Sequence, residues 1–227
     1  MFALGSVSLA LNGAPLRVQP MSGITMQAAS MSGITMQAAS TLDGVVVPTG
    51  AGGLNGLLAR RSVAKYDSAR SVPAEATERA LQAAIMAPNH FLSEPWRFYT
   101  CGEQTKAKLC GLNEDKRAAA EAVPEWMIVT MQSEHEIDAK LGLEDHAAVA
   151  CATQNFMLSL ANEGIGSKWM TGALGAAPED VLAAVGAGEG ERLMGAIWYG
   201  YPAKELANDG KAPPRKKGLE GVLTKLP

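Results

Sequence analysis

Four short stretches of the chain carry side chains suited to holding a ligand. Arg60-Arg61-Ser62 places two guanidiniums and a hydroxyl in three residues. Guanidinium is a planar fork of donors that matches a phosphate, and each charge-assisted bond of this kind contributes roughly 1.5–3 kcal/mol. The stretch APNHFLSEPWRFYT, Ala87–Thr100, gathers Asn89, His90, Glu94, Trp96 and Arg97 between a helix expected to stop at Pro88 and a strand expected to start at Pro95. A neutral imidazole on that loop can donate to a carbonyl or lie beside a flat ring. In GIGSKWMTGAL, Gly164–Leu174, glycines flank a short strand, and Thr171-Gly172 offers backbone N–H groups at its end, an arrangement able to donate to a flat heteroaromatic. PPRKKG, Pro213–Gly218, brings a second set of cations. Taken singly, each has a plainer explanation: a solvated basic helix end, a capped loop, a helix–strand turn, a charged tail.

The elements that must position these residues follow from periodicity. Leu54–Arg61 reads as a short helix. Pro73–Ala87 reads as a longer one, with Pro73 in its first turn and Ala76, Ala80, Leu81, Ala84 and Ile85 at helical spacing. Strands are expected at Pro95–Cys101, Met127–Met131, Ser167–Thr171 and, centrally in the sheet, Met194–Gly200. Helices are expected at Glu103–Leu112 and Pro178–Val185. Glu144–Glu163 is apolar nearly all round, which predicts burial on most sides, against a second subunit as well as its own sheet. Gly164 and Gly166 end that helix. Helices and strands alternating in this way predict a layered α/β or α+β domain, without fixing strand order. From Ala203 onward the chain is polar and broken by proline, and reads as a surface-wrapping tail.

Bulk properties narrow the function classes. The 227 residues are 47% apolar and 19% charged, with a net charge of −3, enough for a sizeable core and without the basic excess of a nucleic-acid binder. No run of the sequence reaches the ~18 apolar residues of a membrane span. Cys101, Cys110 and Cys151 are odd in number and lack CxxC spacing, and the three histidines are scattered. A reducing compartment is therefore expected, with no disulfide framework and no zinc site. Residues 1–42 contain one basic residue, Arg17, are rich in hydroxyls, and repeat MSGITMQAAS without change at Met21–Ser30 and Met31–Ser40. An exact duplication is tolerated far more easily outside a packed domain. Residues 1–52 are accordingly read as a disordered leader with the composition of an organelle transit peptide, plastid ahead of mitochondrion or cytoplasm, and 53–227 as the domain.

Together, RRS, then AP-N-H-xxx-E-PWRF, then EDHAAVACATQNFMLSLANEGIGSKWMTG, then IWYGYP with a basic tail, resemble the nitroreductase family of FMN-dependent oxidoreductases. The nearest pattern is the small single-domain subgroup whose loop reads AP-[DN]-H-xxx-QPWRF, and the resemblance covers residues 54–218. It implies an α+β sandwich with a central, mostly antiparallel sheet flanked by helices, in an intertwined homodimer holding FMN at the interface. It implies ping-pong transfer of hydride from NAD(P)H to an electron-poor acceptor such as a nitro compound or quinone, with no dedicated protein nucleophile or acid–base pair. Carried over by motif, Arg60, Arg61 and Ser62 hold the FMN phosphate and ribityl chain, with Arg215 or Lys217 completing that site. His90 and Met86 approach the ring from the loop. Trp169, Met170, Thr171 and Gly172 line the isoalloxazine, and Glu163 and Gly164 meet the nicotinamide nucleotide. The chain departs from the pattern at Glu94, where the family has Gln, at Ala64, where many relatives are basic, and in a short segment between Cys101 and Met127. Two other readings stand beside this one. One is a family member with specialised chemistry, such as dehalogenation or flavin breakdown; the other is a flavin-binding or flavin-free structural or sensory dimer.

Overall fold

The computed structural model describes residues 40–42, 45–47, 57, 60–203 and 215–227. In chain order the elements are strands β1 (Ser40–Leu42) and β2 (Val45–Val47), helix α1 (Ala74–Ala84), strand β3 (Trp96–Thr100), helices α2 (Glu103–Gly111) and α3 (Arg117–Glu121), strand β4 (Glu125–Met131), helix α4 (Lys140–Asn162), strand β5 (Gly166–Met170), helix α5 (Pro178–Val185) and strand β6 (Arg192–Gly200). Four strands form one sheet in the order β3-β4-β6-β5, every neighbouring pair antiparallel. The only parallel pairing among the described residues is an isolated bridge between Ser62 and Ser167.

Alternation along the central strands sorts the core into two layers. Met127, Val129 and Met131 of β4 and Ile197 and Tyr199 of β6 face α1 and α4, where they meet Ala80, Ala84, Val149, Ala152 and Phe156. Trp126 and Ile128 of β4 and Ala196 and Trp198 of β6 face the other way, onto Leu109, Cys110, Ala120 and Val181 of α2, α3 and α5. The sheet thus lies between two helical layers, as the α+β sandwich expectation has it. On α1 the buried residues are Ala76, Ala80 and Ala84, a stripe of small side chains that lets it pack closely on α4.

Several boundaries differ from the sequence reading. Helix α1 stops at Ala84 rather than at Pro88: Met86 and Ala87 turn their N–H groups back to Ala83 and Ala84, a tightened last turn, and Pro88 disfavours helix at the residue before it. Helix α4 begins at Lys140, four residues before Glu144. Gly142, within the first turn, is a close contact: a Cβ at that position would lie 1.9 Å from the Glu136 carbonyl oxygen. The far end of α4 is as expected. Gly164, at φ +74, takes the left-handed turn, and Ile165 donates back to Leu160. Arg60 and Arg61 are not helical; of the expected Leu54–Arg61 helix, the rest other than Leu57 lies outside the described residues. The leader 1–52 also lies outside them, except that Ser40–Leu42 and Val45–Val47 pair as a small antiparallel hairpin.

Candidate functional site

The Arg60–Ser62 segment is fixed along the outer edge of β5. Ser62 bridges Ser167, and the Val63 N–H donates to the Ser167 carbonyl at 3.0 Å. Val63 is buried against Gly166, where a Cβ would meet its side chain at 2.6 Å. The Tyr66 hydroxyl, within 2.7 Å of the Val63 carbonyl and 3.1 Å of the Trp198 carbonyl, ties the following residues to the end of β6. Desolvation there pushes the Tyr66 phenol strongly up, so it stays a neutral donor.

Arg60 and Arg215 come together from opposite ends of the domain. Burial, and then the Arg215 guanidinium, lower the Arg60 pKa from its ordinary value. Two guanidiniums near enough for one to act on the other, with a serine on a strand edge two residues on from Arg60, have the chemistry of an anion site. Lys217 is not shown joining them; its Cβ instead lies 3.3 Å from where a Gly221 Cβ would sit, within the tail's own turn. From Ser167, level with Ser62, to Thr171 is four residues, about 13 Å at a strand rise of ~3.3 Å. An elongated ligand with a phosphate at one end and a flat ring at the other fits that span, and FMN has that shape.

At the ring end the β5 residues divide. Trp169 packs with the α1/α4 layer and Met170 with the α2/α5 layer, so their side chains point to opposite faces and only one can lie against a ring. The Trp169 indole N–H is already engaged, donating to the Met194 carbonyl at 3.1 Å. That contact depends on the bulge at Gly195, where φ is +138 and a Cβ would lie 2.7 Å from the indole nitrogen. Thr171 and Gly172 are exposed in the turn beyond β5. This turn is held by two residues the sequence did not single out: Asn113 Nδ2 and Lys116 Nζ donate to the Leu174 carbonyl at 2.9 and 3.0 Å. The short segment between Cys101 and Met127, read as a reduced lid, thus supplies a brace.

The loop after α1 carries an apolar tip between its polar residues: Phe91 and Leu92 are 91% and 80% exposed, and Met86, in the turn before the loop, is 78% exposed. Phe91, Leu92 and Glu94 take positive φ values of 50°, 56° and 42°, each costing on the order of 1–2 kcal/mol for a residue with a Cβ. The polar residues fasten the base of the loop. Asn89 Oδ1 accepts from the Glu94 N–H, and Arg97 donates to the Glu94 carbonyl. His90 Nδ1 lies 2.7 Å from Glu144 Oε2 on α4, a close contact without hydrogen-bond alignment. Glu163, assigned to the nucleotide, is paired with Arg79 of α1 through bonds of 2.6 and 3.0 Å. The side-chain bond from Arg79 holds its carboxyl below the usual range. Gly164 serves as the helix stop.

Comparison with known proteins bears on the family likeness and the fold. Residues 57–142 match the nitroreductase family. YfhC of Bacillus subtilis, provisionally named an NAD(P)H nitroreductase, is 29% identical over 178 residues, 71% of this chain and 90% of its own. A nitroreductase-like family protein from Bacillus cereus superposes with a TM-score of 0.61 at 25% identity, over 76% of this chain and 94% of that one. A nitroreductase from Desulfovibrio desulfuricans, solved in complex with FMN, superposes with a TM-score of 0.62 at 22% identity, over 76% and 95%. Over residues 57–142 in sequence, and across the sandwich in fold, the chain is similar to the nitroreductases.

Proposed function

We propose that the chain is an FMN-dependent oxidoreductase that takes hydride from NAD(P)H and reduces an electron-poor small molecule, such as a nitro compound or quinone, by a ping-pong mechanism. The observation that carries this is the pairing of the Arg60–Ser62 segment with the β5 edge, within reach of the Arg215 charge and about 13 Å along the strand from the Thr171-Gly172 turn. FMN supplies the redox chemistry. The chain supplies the grip: Arg60, Arg61 and Ser62, with Arg215 from the tail, on the phosphate; the Thr171-Gly172 N–H groups and one of Trp169 or Met170 at the ring; His90 from the loop and Met86 from the turn before it. Glu163 and Gly164 stand at the nucleotide approach.

The working unit in this proposal is a homodimer. Helix α4 buries one face and turns Leu143, His146, Ala147 and Cys151 outward, Leu143 being 56% exposed. The apolar tip at Phe91 and Leu92 is a second surface that a partner copy would cover. The composition of the leader supports import into a plastid. Among the described residues no helix is long and apolar enough to cross a membrane.

A second reading has its own observation. His90, the Trp169 indole and Glu163 all have partners within the chain, as a structural or sensory dimer without flavin chemistry would allow. One experiment separates the two: absorption spectra of the purified protein, alone and with added FMN, then anaerobically with NADH and NADPH. A bound-flavin spectrum that bleaches with either nucleotide is expected. A protein that remains colourless after added FMN would sink the enzyme reading.

A further inference from the structure

Asp145 is buried on α4, 5% exposed, among the apolar residues that face the sheet. Both of its carboxylate oxygens are used, by loops from different parts of the chain. Ser93 Oγ donates to Oδ1 at 2.7 Å and Ser133 Oγ donates to Oδ2 at 2.6 Å. Ser133 in turn accepts the His135 N–H at 3.1 Å, and Gln132 donates to the Pro95 carbonyl at 2.8 Å. The loop before β3 and the loop after β4 are therefore joined to each other and to one helix through a single carboxylate. Ser93 lies between the residues held at positive φ, Phe91 and Leu92 before it and Glu94 after it, a conformation that persists only where the surroundings over-determine it.

We propose that Asp145, through Ser93 and Ser133, is the positioning residue for the His90–Glu94 loop, and that this two-hydroxyl latch sets the loop's contribution to FMN binding. The inference rests on the flavin reading above. A buried carboxylate with two short hydroxyl donors is a rigid anchor, because charge-assisted bonds are short and strong and neither oxygen is left to water. Asp145 touches no ligand in this account; its effect reaches the site only by holding Ser93, and so the direction in which Met86, His90 and the Phe91–Leu92 tip project.

The test uses the full-length protein. Because Asp145 packs in the core, the single-hydroxyl deletions Ser93→Ala and Ser133→Ala carry it, with Ser93→Thr as the conservative control. Two quantities are read: the rate of chymotryptic cleavage after Phe91 or Leu92, and the FMN dissociation constant from flavin fluorescence. Either deletion is expected to speed loop cleavage and weaken FMN binding on the order of tenfold, while the thermal midpoint moves by only a few degrees. Ser93→Thr is expected to restore both readouts. Faster cleavage with wild-type FMN affinity would overturn the proposal, leaving the latch a purely structural tie, and so would no change in either readout. A wild-type protein that binds no FMN overturns it as well, but is recognised as the failure of the flavin reading because the unmutated chain already shows it.

Discussion

Two charged groups near the sheet are treated in opposite ways. Glu191, at the entry to β6, is surrounded by donors. The Tyr99 hydroxyl reaches it at 2.7 Å, the Gly188 N–H at 2.9 Å, and the Thr130 hydroxyl closes on its other oxygen. Burial works to raise its pKa, and these bonds outweigh that, leaving the carboxyl below its usual range. Arg60, on the β5 edge, has a like charge for a neighbour, and both burial and that neighbour lower its pKa. Folding stabilises the ionised carboxylate at one site and works against the ionised guanidinium at the other. A fold tolerates such a cost where an anion from outside can offset it, which is the role proposed for Arg60; the contrast then sets a charge satisfied within the fold against one proposed to meet a ligand.

The largest expected effect lies at the second group. Arg60→Ala combined with Arg61→Ala should weaken FMN binding by roughly 10²–10⁴-fold, the loss of two charge-assisted bonds, so the protein purifies colourless. Its oligomeric state and the thermal midpoint of the flavin-free protein should be unchanged. A double variant that stays fully yellow would show that the phosphate sits elsewhere and remove the contrast.

At the first group the effect should fall on stability alone. Glu191→Gln deprives the fully buried Thr130 and its neighbours of an ionised acceptor, at an expected cost of about 1–3 kcal/mol, with FMN affinity unaltered. The pH dependence has a definite sign. A carboxyl whose folded pKa lies below its unfolded value, ~4.3 for Glu, contributes its stability above that value. It loses it as pH falls through the lower, folded pKa. The gap in unfolding free energy between wild type and Glu191→Gln should therefore be full at pH 6–7 and close in acid. A gap that is constant with pH would mean the bonds, and not the charge, hold this corner.

How much of this was legible beforehand depended on whether the signal was local. Strands β3, β4, β5 and β6 stand within two residues of their expected places, because each is a short β-rich run bounded by Pro, Gly or charge. The parting of Trp169 and Met170 to opposite faces follows from strand alternation alone. Helix α3 was missed although RAAAE consists of good helix formers, since five residues are too few to show a period. The first turn of α4 lies outside the expected Glu144–Glu163 because the apolar run that marks the helix starts only at Ala147, whereas the need for glycine at 142 comes from the Glu136 carbonyl, a contact made only on folding. Asp145 did leave a trace, an acid on the same helical face as Ala148, Val149, Ala152 and Phe156. Its partners Ser93 and Ser133 left none, since an ordinary serine in a loop acquires meaning only when the chain folds. The approach of Arg215 to Arg60 is of the same kind: the basic tail was visible, its destination was a guess from resemblance.

The smallest effect concerns Glu163, where the two kinds of charge meet in one residue. Its bidentate pair with Arg79 is largely open to solvent, and exposed ion pairs contribute little to stability because water screens them and both side chains lose freedom in forming them. Glu163→Gln and Arg79→Gln should each leave the thermal midpoint nearly unmoved. If the pair is only a surface tie, both variants should also reduce acceptor with wild-type KM for NAD(P)H. If Glu163 stands at the nucleotide approach, Glu163→Gln should raise that KM severalfold. Arg79→Gln should then have the milder effect, because it frees the carboxylate without removing it. Equal effects of the two substitutions would instead mean that the nucleotide meets the pair as a unit. Glu163 would then differ from Glu191 in acting on the ligand, through a partner that the fold supplies.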